Sequence, residues 1–531
     1  MRSPAEPRDG SETRRGIHSR RQQGARALQS DYLEYDAIGL AELVQRRDVS
    51  PRELLDTAIA RAEAANPAIN AIVLKDYDSA RKRAQHVAPD GDGFDALAQG
   101  PLAGVPFLVK DLGAAVAGLR MTLGSRHYRH YIPTADAPVV QRIRAAGLNI
   151  FGKTSAPELG QMPYTEPELF GPCRNPWNLD HTPGGSSGGA AAAVAAGIVP
   201  LAHASDGGGS IRIPAACCGL FGFKPSRGNQ PTSDLPRPPG ELGVDLAISR
   251  SVRDSALMLD LLAGDPGLAP GAPGSFLAAA RAPLDGGKPL TIAYITDPLF
   301  ADALSPDVRD ALDDAAKLLT SLGHIVEPIE LGMDFTATRE AFLMIWSVVA
   351  EQYVLNADTI TGNKPRRQDF EIPTWAMAHI GRKFGERELP AALAEQQRVT
   401  ARFDDLMKRF DVMLCASLAA PPVKIGELKP TQSERLQMRA VTAMPVEALM
   451  RKLLTEAANK AFAWAGCTEI FNMTGQPAMT VPLAWNARGL PVGVQFAARE
   501  NHDALLLRLA AQLEAARPWF GRRPPLLMAR V

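Results

Sequence analysis

Cysteine is scarce in this sequence. The 531 residues include five cysteines: Cys173, Cys217, Cys218, Cys415 and Cys467. The number is odd and no two of them have C-x-x-C spacing, which argues against a disulfide framework and against a cysteine-based metal site. Free thiols of this kind are typical of a reducing compartment, so we expect a cytoplasmic protein.

The sequence also lacks net charge and long apolar runs. Basic and acidic residues number 58 each, so the composition provides no basic face for nucleic acid. The weakly polar run over 189–204 is short and is interrupted by Gly197 and Pro200, so it does not span a bilayer. Residues 1–31 are polar and lack the apolar segment of a secretory signal. We expect a disordered tail over 1–31, and neither nucleic acid nor a membrane as a partner.

Patterns typical of strands and of helices alternate along residues 32–531. Ser50-Pro51-Arg52-Glu53 is typical of a capping box, and it predicts a helix to about Ala65. The predicted strands are 68–74, 105–109, 148–151, 199–204, 324–329, 411–415, 478–483 and 492–496. The other predicted helices are 136–146, 187–196, 305–323 and 503–515. This alternation favours one α/β domain with a large mixed, mostly parallel β-sheet flanked by helices.

Residues 335–410 are predicted to be mostly helical. They contain an aromatic and methionine-bearing stretch that includes Trp346, Trp375 and Met377. One interpretation is a helical insertion that covers a substrate site. The alternative is that these side chains are ordinary helix core.

Thr182–Ala190 is the first segment that indicates chemistry. Its sequence, TPGGSSGGA, places Ser186 and Ser187 between two glycine pairs at the start of an alanine-rich helix. Glycines let backbone N–H groups approach a ligand closely. A flexible linker is disfavoured because buried helix follows directly, and a nucleotide cradle is disfavoured because G-x-x-x-x-G-K-[ST] is missing.

A second glycine-rich segment, SDGGGSIRIP, covers residues 205–214. Three consecutive glycines, Gly207, Gly208 and Gly209, lead from a predicted strand into Ser210. Closely spaced N–H groups with little side-chain bulk suit an oxyanion hole beside a serine nucleophile. A structural turn is the alternative.

A serine nucleophile needs a base. His203 is near in sequence, but it lies in an apolar strand without a G-x-S-x-G elbow, and a satisfied core histidine is the simpler interpretation. Lys110 ends the apolar run GVPFLVKD. A buried lysine must be neutral or paired, and a neutral amine can act as a base.

Together, these three segments resemble the amidase signature family over roughly residues 35–525. The resemblance implies that Ser210 is the acyl-forming nucleophile, that Ser186 bridges it to the base Lys110, and that the peptide bond before Ser186 is cis. It also implies an oxyanion hole formed by the N–H groups of Gly207, Gly208, Gly209 and Ser210. The residues that fall on the family's supporting polar positions are Ser187, Asp206 and Arg212.

The triple glycine is a departure from the family pattern. Many members carry Thr or Ile where this chain has Gly207. The glycine version, with the C-terminal segment FNMTGQPAMTVP, is most similar to the branch of aminohexanoate cyclic dimer hydrolases and related amide or carbamate hydrolases.

The resemblance implies hydrolysis of a C–N bond in a small linear or cyclic amide, or in a carbamate, through an acyl-enzyme. No metal or cofactor is expected, since H-E-x-x-H, a Cys/His cluster and a Rossmann fingerprint are all missing from the sequence. The alternatives are a subunit of an aminoacyl-tRNA amidotransferase, which needs partner chains, and a catalytically inactive binding protein of the same fold. The oligomeric state stays open, with a homodimer as one option.

Overall fold

The computed structural model describes residues 31–85, 100–229, 238–263, 268–284, 288–443 and 447–528. The tail predicted over 1–31 therefore lies outside the described residues, except for Asp31. Strands and helices alternate along the chain. The described strands are β1 Ile72–Lys75, β2 Pro106–Lys110, β3 Asn149–Thr154, β4 Leu201–Asp206, β5 Phe221–Lys224, β6 Val244–Ser249, β7 Thr291–Ile295, β8 Ile325–Ile329, β9 Val412–Ala416, β10 Ala478–Trp485 and β11 Pro491–Ala498.

The described helices surround these strands. They are α1 Ala37–Gln45, α2 Pro51–Ile69, α3 Tyr77–Gln85, α4 Pro138–Ala145, α5 Gly188–Ala195, α6 Arg212–Cys218, α7 Val252–Ala263, α8 Phe276–Arg281, α9 Pro306–Ser321, α10 Thr336–Val354, α11 Asp358–Thr361, α12 Ile372–Leu406, α13 Gln432–Ala443, α14 Glu447–Ala465, α15 Ile470–Thr474, α16 Asp503–Ala516 and α17 Pro525–Met528. Among the described residues, no helix is both long enough and apolar enough to cross a membrane.

The central sheet has eight strands in the order β4-β6-β5-β10-β11-β9-β7-β8, and a second sheet has the order β1-β3-β2. The predicted mixed sheet flanked by helices is confirmed. The prediction of mostly parallel pairing is wrong, because among the described pairs only β2–β3, β7–β8 and β7–β9 are parallel. Strand periodicity does not encode direction, and neighbours such as β10 and β11 pair as an antiparallel hairpin.

Helix α2 begins as predicted but ends later. The Ser50 hydroxyl accepts the Glu53 N–H, and the Glu53 carboxylate accepts the Ser50 N–H, which confirms the capping box. The helix passes Pro67 and ends at Ile69. Asn70 follows with a left-handed backbone, and its N–H donates to Asn66 O at 2.8 Å. The strand predicted over 68–74 therefore begins only at Ile72.

Helix α5 is buried on all sides. A Cβ atom on Gly189 would lie 2.4 Å from the Ser155 backbone nitrogen, directly after β3. The helix therefore packs backbone against backbone, which only small side chains allow. This contact holds the segment with Ser186 and Ser187 against the ends of the neighbouring strands.

Helices α10 and α12 account for most of residues 335–410, which confirms the predicted helical character of this region. The two helices pack against each other, and residues of both line a cavity beside Ser210. Trp346 and Met377 are among these lining residues. Trp375 lies outside the cavity wall and packs its ring against His379, with 4.7 Å between ring centroids.

Candidate active site

Lys110 is the last residue of β2 and is fully buried. Its Nζ donates a hydrogen bond to Ser186 Oγ at 2.8 Å and another to Ser205 Oγ at 3.0 Å. The structure therefore brings together two of the predicted catalytic residues, although they are far apart in sequence. No carboxylate forms an ion pair with this amine in the described part of the chain.

Burial lowers the pKa of Lys110 to about 7, although the charges of Asp245 and Asp206 oppose this shift. Desolvation disfavours the ammonium form more strongly than these carboxylates stabilise it. A large share of the amine is therefore neutral near neutral pH, and a neutral amine can accept a proton.

His203 is a satisfied core histidine, as the sequence predicts. It is fully buried in β4, and its Nδ1 accepts the backbone N–H of Lys110 at 3.3 Å. An accepting Nδ1 places the ring proton on Nε2, which lies 3.1 Å from Asp245 Oδ1. Both ring nitrogens are occupied, so His203 positions β2 beside β4 and has no nitrogen left to activate a serine.

Ser186 and Ser187 lie just before α5. The peptide bond between Gly185 and Ser186 is cis, in agreement with what the family resemblance implies. The Ser187 hydroxyl donates to the Ser205 carbonyl oxygen at 3.2 Å. Ser205 thus contacts both Lys110 and Ser187.

Ser210 lies at the end of the triple-glycine segment and is 8% exposed. Within the described residues, neither its hydroxyl nor its backbone N–H forms a hydrogen bond, and the same holds for the N–H groups of Gly207 and Gly208. The Gly209 N–H differs, because it donates to Asp206 Oδ1 at 2.6 Å. In this arrangement the donors open to an incoming oxygen are Gly207, Gly208 and Ser210.

Aromatic rings explain two of the three consecutive glycines, Gly207 and Gly208. A Cβ atom on Gly207 would lie 2.9 Å from two ring carbons of Trp346, and one on Gly208 would lie 2.9 Å from Phe342. The two rings stack with 5.6 Å between centroids. The space that side chains at residues 207 and 208 would need is filled by the Phe342–Trp346 stack of α10.

Asp206 and Arg212 form a fully buried ion pair. Arg212 Nε donates to Asp206 Oδ2 at 2.9 Å and Nη2 donates to Oδ1 at 3.0 Å. Burial disfavours the Asp206 carboxylate, but the charge and hydrogen bonds of Arg212 and the Asn472 amide hold its pKa well below the usual range. The carboxylate fixes the glycine segment through the N–H groups of Gly209 and Ile211.

A cavity of about 150 Å³ opens in front of Ser210. Its wall is mostly apolar, and the residues nearest the glycine segment include Phe342, Trp346 and Glu469. A cavity of this kind accommodates a small organic molecule better than a folded polypeptide.

Two residues of this site were missed in the sequence. Ser205 stands within the glycine-rich segment, so its place one residue before Asp206 could have indicated it. Glu469 directly precedes α15, and no local pattern identifies it. Phe342 belongs to the aromatic stretch predicted within 335–410, and it lines the cavity.

Known proteins are similar to this chain over almost its whole length. The model of the family described as Amidase matches residues 53–507. The 6-aminohexanoate-cyclic-dimer hydrolase of Pseudomonas sp. (strain NK87) is 35% identical over 510 residues, which cover 93% of this chain and 97% of that protein.

Solved structures of amidases are also similar to this chain over almost its whole length. A 6-aminohexanoate cyclic dimer hydrolase complexed with substrate has a TM-score of 0.82 at 33% identity, covering 93% of this chain and 99% of that one. A bacterial aryl acylamidase of the amidase signature family has a TM-score of 0.75 at 29% identity, covering 92% and 99%. The chain therefore belongs to the amidase family and is a hydrolase of carbon–nitrogen amide bonds.

Proposed function

We propose that this enzyme cleaves a small linear or cyclic amide through an acyl-enzyme on Ser210. The hydrogen bond between Lys110 Nζ and Ser186 Oγ, beside a cavity that Ser210 lines, carries this proposal. No hydrogen bond reaches Ser210 Oγ in this ligand-free arrangement, and such contacts often tighten only when substrate binds.

The reaction begins with proton transfer away from Ser210. Ser186 accepts the proton of the Ser210 hydroxyl and passes its own proton to neutral Lys110, while Ser210 Oγ bonds to the amide carbon. The negative charge moves to the carbonyl oxygen, and the N–H groups of Gly207, Gly208 and Ser210 stabilise it. Gly209 shapes the segment through its bond to Asp206.

The same relay then runs in reverse. Lys110 returns its proton through Ser186 to the nitrogen of the leaving amine, the C–N bond breaks and the acyl-enzyme remains. Water attacks the ester carbonyl, its proton passes along the relay, and Ser210 regains its proton as the carboxylic acid leaves.

The cavity wall and the relatives support this substrate class. Apolar rings and methionines in the wall of the cavity that Ser210 lines favour an aliphatic or aryl group on either side of the amide. The similarity to hydrolases of a cyclic dimer of 6-aminohexanoate supports a small linear or cyclic amide. A carbamate presents the same carbonyl and fits the same donors.

The amidotransferase alternative is less well supported. The subunit of a glutamyl-tRNA(Gln) amidotransferase that this chain resembles is 24% identical, below the hydrolases named above. The purified chain, tested alone on anilides and cyclic diamides, separates the two functions, because an amidotransferase subunit needs its partner chains for its reaction.

A serine-directed fluorophosphonate tests the nucleophile. We expect the probe to label Ser210 in the native protein, and Ser210→Ala to abolish both labelling and anilide turnover. Ser187→Ala is the matched control, since it removes a neighbouring hydroxyl and should keep the labelling site. Peptide mapping that places the label on Ser186 or Ser187 in Ser210→Ala would refute this assignment.

A further inference from the structure

Glu469 is a buried acidic residue in the wall of the cavity that Ser210 lines. The residue is 6% exposed, and its Cγ lies 3.5 Å from the position that a Cβ atom on Gly208 would occupy. Glu469 Oε2 accepts the Thr468 N–H at 3.2 Å. In the described part of the chain, no lysine or arginine forms an ion pair with this carboxyl group.

Burial favours the neutral form of the Glu469 carboxyl group. Burial raises the pKa of Glu469 to about 8; the N–H groups of Glu469 and Thr468 and the charge of Arg212 oppose the shift, and Asp206 reinforces it. The titratable or charged groups that face it from the packed elements or across the cavity are Asp206, Arg212, Cys467, Glu434, Glu456 and Lys460. A carboxylate here would also repel the oxyanion that forms beside Gly208.

A neutral carboxyl group carries one O–H donor. Because the Thr468 N–H donates to Oε2, a proton on Oε1 leaves that hydrogen bond intact. Within the described residues, Oε1 forms no hydrogen bond with another residue. A proton on Oε1 can therefore be donated to a carbonyl oxygen of a substrate in this cavity.

Gln161 gives an independent indication of the same kind of ligand. It lines the cavity, and its Oε1 is buried without a hydrogen-bond partner. A substrate N–H that reaches this oxygen removes an unsatisfied acceptor. A donor at Glu469 and an acceptor at Gln161, in an otherwise apolar wall, are complementary to the carbonyl and N–H groups of an amide.

We propose that Glu469 is a specificity-determining residue that donates a hydrogen bond to a second amide carbonyl of the substrate, so that the enzyme prefers small diamides, linear or cyclic, to monoamides. This inference depends on the proposed amide hydrolysis. It concerns the group that binds beside the scissile amide and adds no step to the reaction.

The test compares three acyl groups of one length as 4-nitroanilides. Hexanoyl has no second polar group, N-acetyl-β-alanyl has a second amide, and 5-aminopentanoyl has an ammonium group. N-acetylated amino acids with other numbers of methylenes between the carbonyls then locate the preferred spacing. Each substrate is measured with the native enzyme, Glu469→Gln, Glu469→Leu and the control Glu456→Gln, which removes an exposed acid from the same cavity.

We expect the native enzyme to prefer the best acetylated substrate over its hydrocarbon analogue by roughly 10-fold in kcat/KM, as one hydrogen bond allows. Glu469→Gln should keep this preference, since its amide still donates, and Glu469→Leu should lose it. The control should match the native enzyme. An unchanged preference in Glu469→Leu would overturn the inference, as would a preference for the ammonium substrate that Glu469→Gln abolishes.

The pH dependence gives a second readout. In the native enzyme kcat/KM for the acetylated substrate should fall above pH 8, where Glu469 loses its proton, and this fall should be missing in Glu469→Gln. A purely structural role would leave the profile unchanged. Failure of the proposed amide hydrolysis is distinguishable from failure of the role proposed for Glu469, because no 4-nitroanilide would then be hydrolysed.

Discussion

The proposed role of Lys110 as a base depends on an amine that is removed from water and that no carboxylate of the described residues contacts. An ordinary lysine titrates near 10.4 and would be almost fully protonated at pH 7. Burial lowers the pKa of Lys110 to about 7, and the deprotonated form is the one that accepts a proton. We therefore expect kcat/KM for an anilide to rise with pH along a limb centred near pH 7 rather than near pH 10. A limb near pH 10 in a pH–rate measurement would contradict the burial argument.

Replacement of Lys110 tests its second role as the acid for the leaving group. Lys110→Ala should lower kcat/KM for amides by roughly 10²–10⁴-fold, which is the usual contribution of a positioned general base. Matched esters should lose less, since an alkoxide leaves without the proton that an amine needs. Equal losses on both substrates would show that Lys110 does not protonate the leaving group, and a melting curve checks that the variant folds.

At the residue scale, the family resemblance implied the amine–hydroxyl pair but not its surroundings. Lys110 and Ser186 lie in motifs whose composition is unusual, and they form a hydrogen bond as the resemblance implied. The patterns did not indicate that the Gly209 N–H is already bonded to Asp206. Backbone N–H direction depends on dihedral angles, and one-letter composition does not specify these angles at glycine.

At the scale of elements, α10 packs closely against the triple-glycine segment, Gly207–Gly209. The Trp346 ring lies where a side chain at residue 207 would stand, so Gly207→Ala forces one of them to move. Overpacking of this kind costs about 1–3 kcal/mol. We expect Gly207→Ala to lower both the melting temperature and kcat/KM, and Gly243→Ala, where the added methyl meets open space, to change neither.

A double variant tests whether contact with Trp346 causes the loss of stability expected in Gly207→Ala. Gly207→Ala combined with Trp346→Ala should be no less stable than Trp346→Ala alone, because the clash has been removed. A double-mutant cycle should then give a coupling energy of about 0.5–3 kcal/mol between the two positions. Additive effects would mean that the methyl group is accommodated elsewhere.

The elements differ in how well their patterns predicted them. The Ser50–Glu53 capping box fixed the start of α2, whereas Pro67 did not mark its end. Apolar runs predicted eight of the eleven described strands and missed β5, β6 and β7. They did not predict strand direction, since antiparallel and parallel strands share the same side-chain alternation. The position of α10 over the glycine segment depends on contacts between residues more than 100 positions apart, and periodicity carries no information about them.

At the scale of the whole molecule, Arg212 joins two distant parts of the chain. Besides Asp206, its guanidinium donates to Thr468 O at 2.8 Å, to Gln495 Oε1 at 2.8 Å and to Asn472 Oδ1 at 2.6 Å. These acceptors belong to the C-terminal third of the sequence, whereas Asp206 holds the glycine segment. The shape of the site therefore depends on the docking of the last strands.

Arg212→Met tests this dependence. The substitution leaves the buried Asp206 carboxylate without its cation, and breaking a buried pair typically costs about 3–5 kcal/mol. Urea unfolding at pH 7 should show a loss of this size, together with loss of activity. Asp206→Asn with Arg212→Met removes both charges and should recover part of the stability, because no uncompensated charge then remains.

The contribution of Asp206 to stability should change with pH in opposite directions in the native protein and in Arg212→Met. In the native protein the pKa of Asp206 is lowered, so its contribution to stability is present above the unfolded pKa near 3.9 and is lost only as pH falls through the lower folded pKa. In Arg212→Met, burial without a cation raises that pKa, so Asp206 lowers stability as pH rises above 3.9. The stability gap between the two proteins, measured by urea unfolding, should therefore widen from pH 4 to pH 7. A constant gap would mean that Arg212 stabilises the fold through its other hydrogen bonds and not through Asp206.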